Sequence, residues 1–159
     1  MNFCPMCGAG LIKSSIDAEE RLMCSQRCGY VHWNNPIPVV AGLIRVDGRF
    51  VLARNAKWPE GFFSVITGFL ESGEAPDSAI ARETEEELGL TVTSVKFLGH
   101  YPFPRMNQII IGYFVEAQGT PAINHEIAEI KVLPEAELVS YDFGFLKLAE
   151  AMVQGWQIK

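Results

Sequence analysis

The residues with the clearest capacity for chemistry are four glutamates in GFLESGEAPDSAIARETEEELGL, residues 68 to 90. On a helix of about 3.6 residues per turn, Glu83, Glu86 and Glu87 share one face, whereas Glu85 points away from it. Each like-charge pair at this spacing costs about 0.2 to 0.5 kcal/mol in an isolated helix. The pattern therefore indicates either a solvated helix face or a site where a cation lies between the carboxylates, and carboxylate oxygens suit Mg²⁺ or Mn²⁺.

A second cluster consists of the four cysteines, which form a Cys4-x-x-Cys7 pair and a Cys24-x-x-x-Cys28 pair within the first 28 residues. In a reducing compartment, paired cysteines more often hold zinc than form disulfides, because thiolates bind Zn²⁺ tetrahedrally. The second pair has one intervening residue more than a zinc knuckle usually has. We predict a structural Zn²⁺ in this module, and the alternative is four unligated thiols in a ribbon without metal.

Composition and charge narrow the class of protein. The chain has 159 residues and 48% hydrophobic composition, which allows one packed core plus a small appendage. A net charge of −6 argues against a nucleic-acid binder with a broad basic face. With no basic segment before an apolar stretch and no apolar run of about 18 residues, we expect a cytoplasmic protein without a membrane partner.

The elements that must position these residues form a mixed α/β pattern. We predict a cysteine module at residues 1–33 and a main domain at 34–159, joined through WNNPIP at residues 33–38. Asp47-Gly48 predicts a hairpin between VVAGLIRV and RFVLAR, and Pro76 and Gly89 predict a helix over 76–88. Three further strands, TVTSVKFLGHY, QIIIGYFVEA and EIAEIKVL, precede a C-terminal helix over FGFLKLAEAMVQGW. The expected fold is a mixed sheet with helices on both faces.

The glutamate segment resembles the Nudix box, G-x5-E-x7-R-E-U-x-E-E-x-G-U, in which U is aliphatic. The positions in register are Gly68, Glu74, Arg82, Glu83, Glu86, Glu87, Gly89 and Leu90. Thr84 departs from the pattern, since it stands where an aliphatic residue is expected.

The resemblance implies a Nudix-type α/β/α sandwich and a hydrolase of phosphoric anhydride bonds. The implied activity is metal-dependent cleavage of a nucleoside diphosphate linked to another moiety, of the NADH, ADP-ribose or FAD class, with AMP as a product. Glu86 and Glu87 are the implied Mg²⁺ or Mn²⁺ ligands, and Glu83 is a ligand or the catalytic base. Glu74 and Arg82 tie the loop to the helix, and Glu74 is also a candidate to reach the metal through water.

A carboxylate from outside the box often completes such a site. The resemblance to zinc-ribbon Nudix enzymes places Glu126 there as a further catalytic candidate, with Glu129 as the second choice. A surface role is an equal alternative for a glutamate at the start of a strand.

The cysteine ribbon followed by CGYVHWNNP resembles the NADH pyrophosphatase group and its shorter relatives. Pro102-Phe103-Pro104 matches part of the SQPWPFP signature of those enzymes, but Leu98-Gly99-His100-Tyr101 replaces the preceding Ser-Gln-Pro-Trp.

Candidate substrate-binding residues are less sharply defined. Five aromatic residues could stack on a base or nicotinamide, namely Trp58, Phe62, Phe63, Tyr101 and Phe103. Phe63 is the first choice, because we expect it in a strand just before the box, although core packing is the commoner use of such residues. Arg105 could contact phosphate or lie in solvent.

Three questions stay open at this point. A nucleotide-sensing or nucleic-acid-binding regulator is the alternative to the enzyme, and nucleic acid is an expected partner only as capped RNA. The apolar C-terminal helix ending near Trp156 would suit a homodimer or would cap the sheet. Which diphosphate is the substrate depends on loops that the pattern does not specify.

Overall fold

The computed structural model describes residues 1–144 and 147–158. The chain forms two compact units, Met1–Pro36 and Ile37–Lys159. None of the helices in these described ranges is both long and apolar enough to cross a membrane.

The first unit is a small antiparallel sheet of three strands, β1 (Leu11–Ile16), β2 (Glu19–Cys24) and β3 (Val31–His32), in the order β1-β2-β3. Asp17 and Ala18 both have positive φ, 52° and 64°, which is the two-residue turn that matches the twist of a hairpin. These strands were not predicted from the sequence, because the segment contains too few apolar residues in alternation to indicate a strand.

The second unit is built on a six-stranded mixed sheet. Its strands are β4 (Ile37–Val46), β5 (Arg49–Asn55), β6 (Ile66–Phe69), β7 (Thr91–Phe103), β8 (Gln108–Gln118) and β9 (Ile127–Leu133). The order is β7-β8-β4-β5-β9, with β6 also paired to β4, and the β4–β8 pair is parallel. The Asp47-Gly48 turn, the three later strands and the mixed sheet are confirmed.

Among its described residues, three α-helices accompany this sheet: α1 (Pro76–Leu88), α2 (Glu135–Val139) and α3 (Lys147–Gln157). α1 has the predicted bounds, with Pro76 in its first turn and Gly89 in the left-handed conformation at φ 64°. α2 was not predicted. The prediction for the C-terminal helix began at residue 143, but the described helix begins at Lys147, and residues 145 and 146 lie outside the described ranges.

Alternation along β4 distributes its side chains to two cores. Val39, Ala41 and Leu43 pack with the α3 residues Met152 and Val153. On the opposite face, Val40, Ile44 and Val46 pack with Ile80 and Leu88 of α1. Helices therefore cover both faces of the sheet, as predicted, and this two-sided burial fixes the register of β4.

α3 caps one face of the sheet. Its Trp156 ring lies 4.9 Å from the ring of Phe50 and 5.8 Å from that of Phe114. This agrees with the capping role that the sequence left open, whereas a homodimer stays a prediction.

One boundary was wrong. Ile37 and Pro38, which the sequence analysis placed in the linker, begin β4 and pair with Gln108 and Ile109 of β8. Pro38 is tolerated because pairing on the other side of β4 starts only at Val39, so its missing N–H breaks no ladder bond there.

β4 changes its neighbour halfway along its length. β6 pairs with Val39–Gly42, and β5 pairs with Ile44–Val46. A small cleft lies between these two neighbours, lined by Ala53 of β5, Thr67 of β6 and Glu87 of α1 among others.

Candidate active site

Arg82 is the centre of the polar contacts on α1. Its Nε and Nη2 donate to the two carboxylate oxygens of Glu74 at 2.8 and 2.9 Å, and Nη2 also donates to the Phe69 carbonyl at 3.2 Å. Its Nη1 donates to Glu83 Oε1 at 2.9 Å and to Glu86 Oε2 at 3.1 Å. Arg82 therefore ties the 70–75 loop to the helix, as the resemblance implied, and relieves part of the repulsion between glutamates.

Glu74 is fully engaged by this arrangement. Besides its two bonds with Arg82, it accepts a hydrogen bond from the backbone N–H of Glu71 at 2.9 Å. The Arg82 guanidinium, followed by that backbone bond, lowers the pKa of Glu74 to about 2. This geometry favours the loop-holding role of Glu74 over the metal-ligand role that the sequence analysis also gave it.

Gly68 lets Glu83 lie against the sheet. A β-carbon at position 68 would overlap the carboxylate and Cγ of Glu83. The glycine that opens the box is therefore explained by close approach of a side chain rather than by its backbone conformation.

We expect Gly68→Ala to lower the free energy of unfolding by about 1 to 3 kcal/mol, because the added methyl group must displace Glu83. Urea denaturation measures this change. Gly10→Ala is the matched control, since a β-carbon there would meet nothing within 4 Å, and equal stability losses in the two variants would contradict the steric explanation.

Glu87 is the buried member of the cluster, with 6% of its surface exposed. Its pKa is raised to about 7, first by burial and then by the charges of Glu83, Glu126 and Glu86. Burial also raises the pKa of Glu83, against the opposing effect of Arg82. Negative charge therefore converges on Glu87, which is the condition under which a cation would be stabilised.

We predict that the raised pKa of Glu87 makes the free energy of unfolding of the wild type depend on pH, compared with Glu87→Gln, when EDTA removes metal ions. Its folded pKa is above the ordinary value of 4.5, so its contribution is most favourable at low pH and is lost as the pH rises through about 7. Relative to the wild type, Glu87→Gln should gain about 3 kcal/mol between pH 4.5 and pH 8. Urea denaturation at the two pH values measures this gain, and a gain no larger than that of Glu85→Gln would contradict it.

Glu126 and Glu129 occupy different environments. Glu126 lies just before β9 and is close enough for its charge to act on both Glu83 and Glu87. Its carbonyl accepts the Ala56 N–H at 2.8 Å, which holds it beside the start of the 56–65 segment. Glu129 pairs instead with Arg54, at 3.3 Å. The structure therefore brings the first candidate to the cluster and engages the second elsewhere.

The glutamates are not gathered as closely as a complete metal site. Within residues 1–144 and 147–158, the set of three or more potential ligands whose atoms all lie within 4.8 Å consists of the four cysteines. In this arrangement Arg82 binds one oxygen of Glu83 and one of Glu86. Glu86 has 56% of its side chain exposed and has room to turn toward a cation.

Two further polar positions of α1, Thr84 and Glu85, lie away from the acidic cluster. Glu85 points away from the cluster and accepts the Val92 N–H at 3.4 Å. Thr84 is fully buried, and its hydroxyl donates to the Ile80 carbonyl at 2.7 Å. The internal bond satisfies the hydroxyl, which explains how threonine serves at an aliphatic position.

A pocket of about 490 Å³ lies beside the glutamates. It is largely apolar, and its aromatic and polar lining comes from the 58–69 and 103–108 segments. The lining includes Trp58, Phe62, Thr67, Gly68, Phe103 and Arg105. A smaller cleft of about 20 Å³ contains Glu87 and is lined by Asn55, Trp58 and Thr67 among others.

Phe63 does not line this pocket. It is 4% exposed in the core, its segment lies before β6 rather than in a strand, and the Lys131 ammonium lies 4.5 Å from its ring centroid. The strand prediction for Phe63 was wrong because the alternation continued beyond the short β6. The aromatic residues on the pocket wall include Trp58, Phe62 and Phe103, which no pattern in the sequence separated from the other aromatic residues.

The other two candidate substrate-binding residues, Arg105 and Tyr101, lie in different environments. Arg105 is exposed at the pocket wall, in the 3-10 turn Pro104–Met106 that follows Phe103. Tyr101 is partly buried against the α3 side of the sheet, where β-carbons at Gly112 and Gly155 would collide with its ring and hydroxyl. Tyr101 therefore serves packing.

The four cysteines of the first unit come together. The Sγ atoms of Cys4 and Cys28 are 3.5 Å apart and those of Cys7 and Cys24 are 3.4 Å apart. All four Sγ atoms lie within 4.8 Å of one another, and tetrahedral Zn–S bonds of about 2.3 Å would hold them about 3.8 Å apart. The hydrogen bond from the Cys28 N–H is the largest influence lowering the pKa of Cys24 to about 6, whereas thiol–thiol hydrogen bonds raise the pKa of Cys7 and of Cys28 against the backbone bonds from Ala9 and Tyr30.

The extra residue of the second pair is absorbed by backbone conformation. Arg27 has φ 53° and donates its N–H to the Cys24 carbonyl at 3.0 Å, and Gly29 has φ 96°. The three-residue spacing is therefore compatible with four converging sulfur atoms.

A mixed sheet between helices, with a glutamate-bearing helix against the cleft where β4 changes neighbours, defines an α/β/α class of protein with an acidic site. The family model described as NUDIX domain matches residues 35–152, and the chain belongs to that family.

Among curated proteins, the chain is 45% identical over 86 residues to the NAD-capped RNA hydrolase NudC of Mycobacterium bovis, a match that covers 53% of this chain and 26% of that protein. It is 28% identical over 119 residues to the NAD-capped RNA hydrolase NudC of Vibrio atlanticus, covering 75% of this chain and 43% of that protein. The matches thus span less than half the length of these relatives.

Among solved structures, a NUDIX hydrolase from Nitrosomonas europaea aligns with a TM-score of 0.84 at 23% identity, covering 100% of this chain and 92% of the other. The NUDIX domain of Shewanella oneidensis NrtR, crystallised with ADP ribose, aligns with a TM-score of 0.64 at 13% identity, covering 77% and 87%. These likenesses establish the fold.

Proposed function

We propose that this protein is a metal-dependent pyrophosphohydrolase that cleaves a nucleoside diphosphate linked to another moiety and releases AMP. The observation that carries the proposal is the convergence of three carboxylates on the buried Glu87, in a cleft that adjoins an apolar pocket with aromatic walls. The pocket suits the ring of a nucleotide, and the cleft suits its cation-bound diphosphate.

The donor set fits Mg²⁺ or Mn²⁺, since all the converging side chains are carboxylates. When bound, such a cation supplies neutralisation of phosphate charge and activation of the attacking water. Glu86 and Glu87 are the proposed ligands. To bind the cation, Glu86 gives up its hydrogen bond with Arg82. Their helix packs along its other face, which fixes the backbone from which both side chains project.

The remaining residues have supporting roles in this proposal. Glu83, held against Gly68, is a ligand or the base that removes a proton from water, and Glu126 completes the acidic site from the far side of the cleft. Arg82 and Glu74 hold the box loop. Arg105, at the pocket wall, is placed to contact a phosphate group.

We further propose that residues 1–33 form a zinc ribbon and residues 34–159 the hydrolase domain. The converging sulfur atoms support a structural Zn²⁺. A cytoplasmic location and a homodimer remain predictions.

The substrate group proposed is NADH, ADP-ribose or FAD. Because the curated relatives are named NAD-capped RNA hydrolases, the NAD cap of RNA is a further candidate substrate. AMP release from NADH, NAD⁺, ADP-ribose, FAD, diadenosine polyphosphates, coenzyme A and dNTPs, with Mg²⁺ or Mn²⁺ and again with EDTA, tests the proposal. We expect metal-dependent AMP from a dinucleotide or from ADP-ribose. Tight binding of every candidate without turnover would contradict the enzyme and indicate a nucleotide-sensing regulator.

A further inference from the structure

The apolar pocket and the cleft of Glu87 share two wall residues, Trp58 and Thr67. Gly68, which the Glu83 carboxylate covers on one side, also lines the pocket. A ring that fills the pocket would therefore lie next to the carboxylates, and Trp58 lies where the pocket meets the cleft.

Trp58 is held in place by the last residues of β5 and by Phe62. Its backbone N–H donates to the Asn55 carbonyl at 2.9 Å, and its own carbonyl accepts from Arg54 Nη1 at 3.4 Å. Its ring and that of Phe62 form a T-shaped contact, with centroids 5.2 Å apart and planes at 71°. This contact restricts the orientation of the indole, which is half-buried and lines both the pocket and the cleft.

The charge of the pocket indicates what kind of ring it takes. Among the described residues that line it, Arg105 is the charged one, and none is acidic. Apolar walls with one exposed guanidinium at the rim suit an uncharged heteroaromatic ring that bears an anionic group.

We propose that Trp58 is a positioning residue, which stacks the uncharged heteroaromatic ring of the nucleotide and so holds the attached diphosphate against the glutamates. This inference rests on the proposed function, because it assigns one part of the same site to the substrate's ring.

Binding of AMP and of ribose 5-phosphate to Trp58→Leu, measured by calorimetry with Mg²⁺ present, tests the stacking separately from turnover. We expect the AMP dissociation constant to rise about 10-fold to 100-fold, since base stacking on an aromatic side chain has that value, while ribose 5-phosphate binding stays within about two-fold. Trp58→Phe should restore most of the AMP affinity. Phe97→Leu, an exposed aromatic residue on the opposite face of the sheet, is the control and should bind AMP as the wild type does.

Hydrolysis of ADP-ribose by the same variants provides the second measurement. Trp58→Leu should lose about 10-fold to 100-fold in kcat/KM, mostly through KM. Wild-type affinity of Trp58→Leu for AMP, or equal weakening for AMP and ribose 5-phosphate, would overturn the inference, as would an absence of AMP binding by the wild type. A wild-type protein that binds AMP through Trp58 but hydrolyses nothing would leave the inference intact and overturn the proposed function.

Discussion

Glu86→Gln and Glu87→Gln are each expected to lower kcat/KM on the protein's diphosphate substrate by about three orders of magnitude. Each change removes a charged oxygen from the proposed cation site but keeps the size of the side chain. A cation contributes several kcal/mol of transition-state stabilisation in such a reaction, and each 1.4 kcal/mol or so corresponds to a factor of ten in rate. Initial rates of AMP release at saturating Mg²⁺ measure the effect.

The matched control is Glu85→Gln, because Glu85 lies on the same helix but points toward the Val92 N–H. Its rate should stay within about two-fold of the wild type. The three variants should unfold at similar urea concentrations at neutral pH, apart from the gain expected for Glu87→Gln. An active Glu86→Gln variant with unchanged metal dependence would falsify the role given to that residue.

Cys24→Ser is expected to abolish zinc binding and to unfold the first unit. The three-stranded sheet of that unit is short, and its buried residues include Cys4 and Cys24 themselves. Zinc sites of this kind contribute about 10 to 16 kcal/mol of apparent binding free energy, which is folding free energy when no other core exists. Metal analysis should therefore fall from one zinc per chain to none, and limited proteolysis should cut within residues 1–36.

Ser25→Ala is the control for this prediction, since it changes an exposed neighbour of Cys24 and leaves the four sulfur atoms in place. It should keep its zinc and its resistance to protease. A wild-type protein that contains no zinc, or a Cys24→Ser variant as resistant as the wild type, would contradict the structural-zinc proposal.

The sequence predicted most of the fold because its signals are local. α1 could be bounded at both ends, since Pro76 and Gly89 have conformational preferences that do not depend on the rest of the chain. The turn at Asp47-Gly48 is local in the same sense. Ile37 and Pro38 were misplaced because only pairing with a strand about 70 residues later makes them part of β4.

The candidate site was predicted in part. Helical spacing is sufficient to place Glu83, Glu86 and Glu87 on one face, but it does not show that Arg82 holds two of them. The walls of the pocket come from segments that are distant in sequence, so no spacing rule distinguishes Trp58 on the wall from Phe63 in the core. Burial of an aromatic ring is a tertiary property, and the sequence gives only its average tendency.

The most direct test of the central proposal is hydrolysis in ¹⁸O-labelled water, with products analysed by mass spectrometry. With ADP-ribose or NADH and Mg²⁺, we predict two monophosphate products, one ¹⁸O atom in one of the two, and no product when EDTA replaces the metal. Intact nucleotide, or products in which neither phosphate carries ¹⁸O, would contradict cleavage of the diphosphate by water at this site.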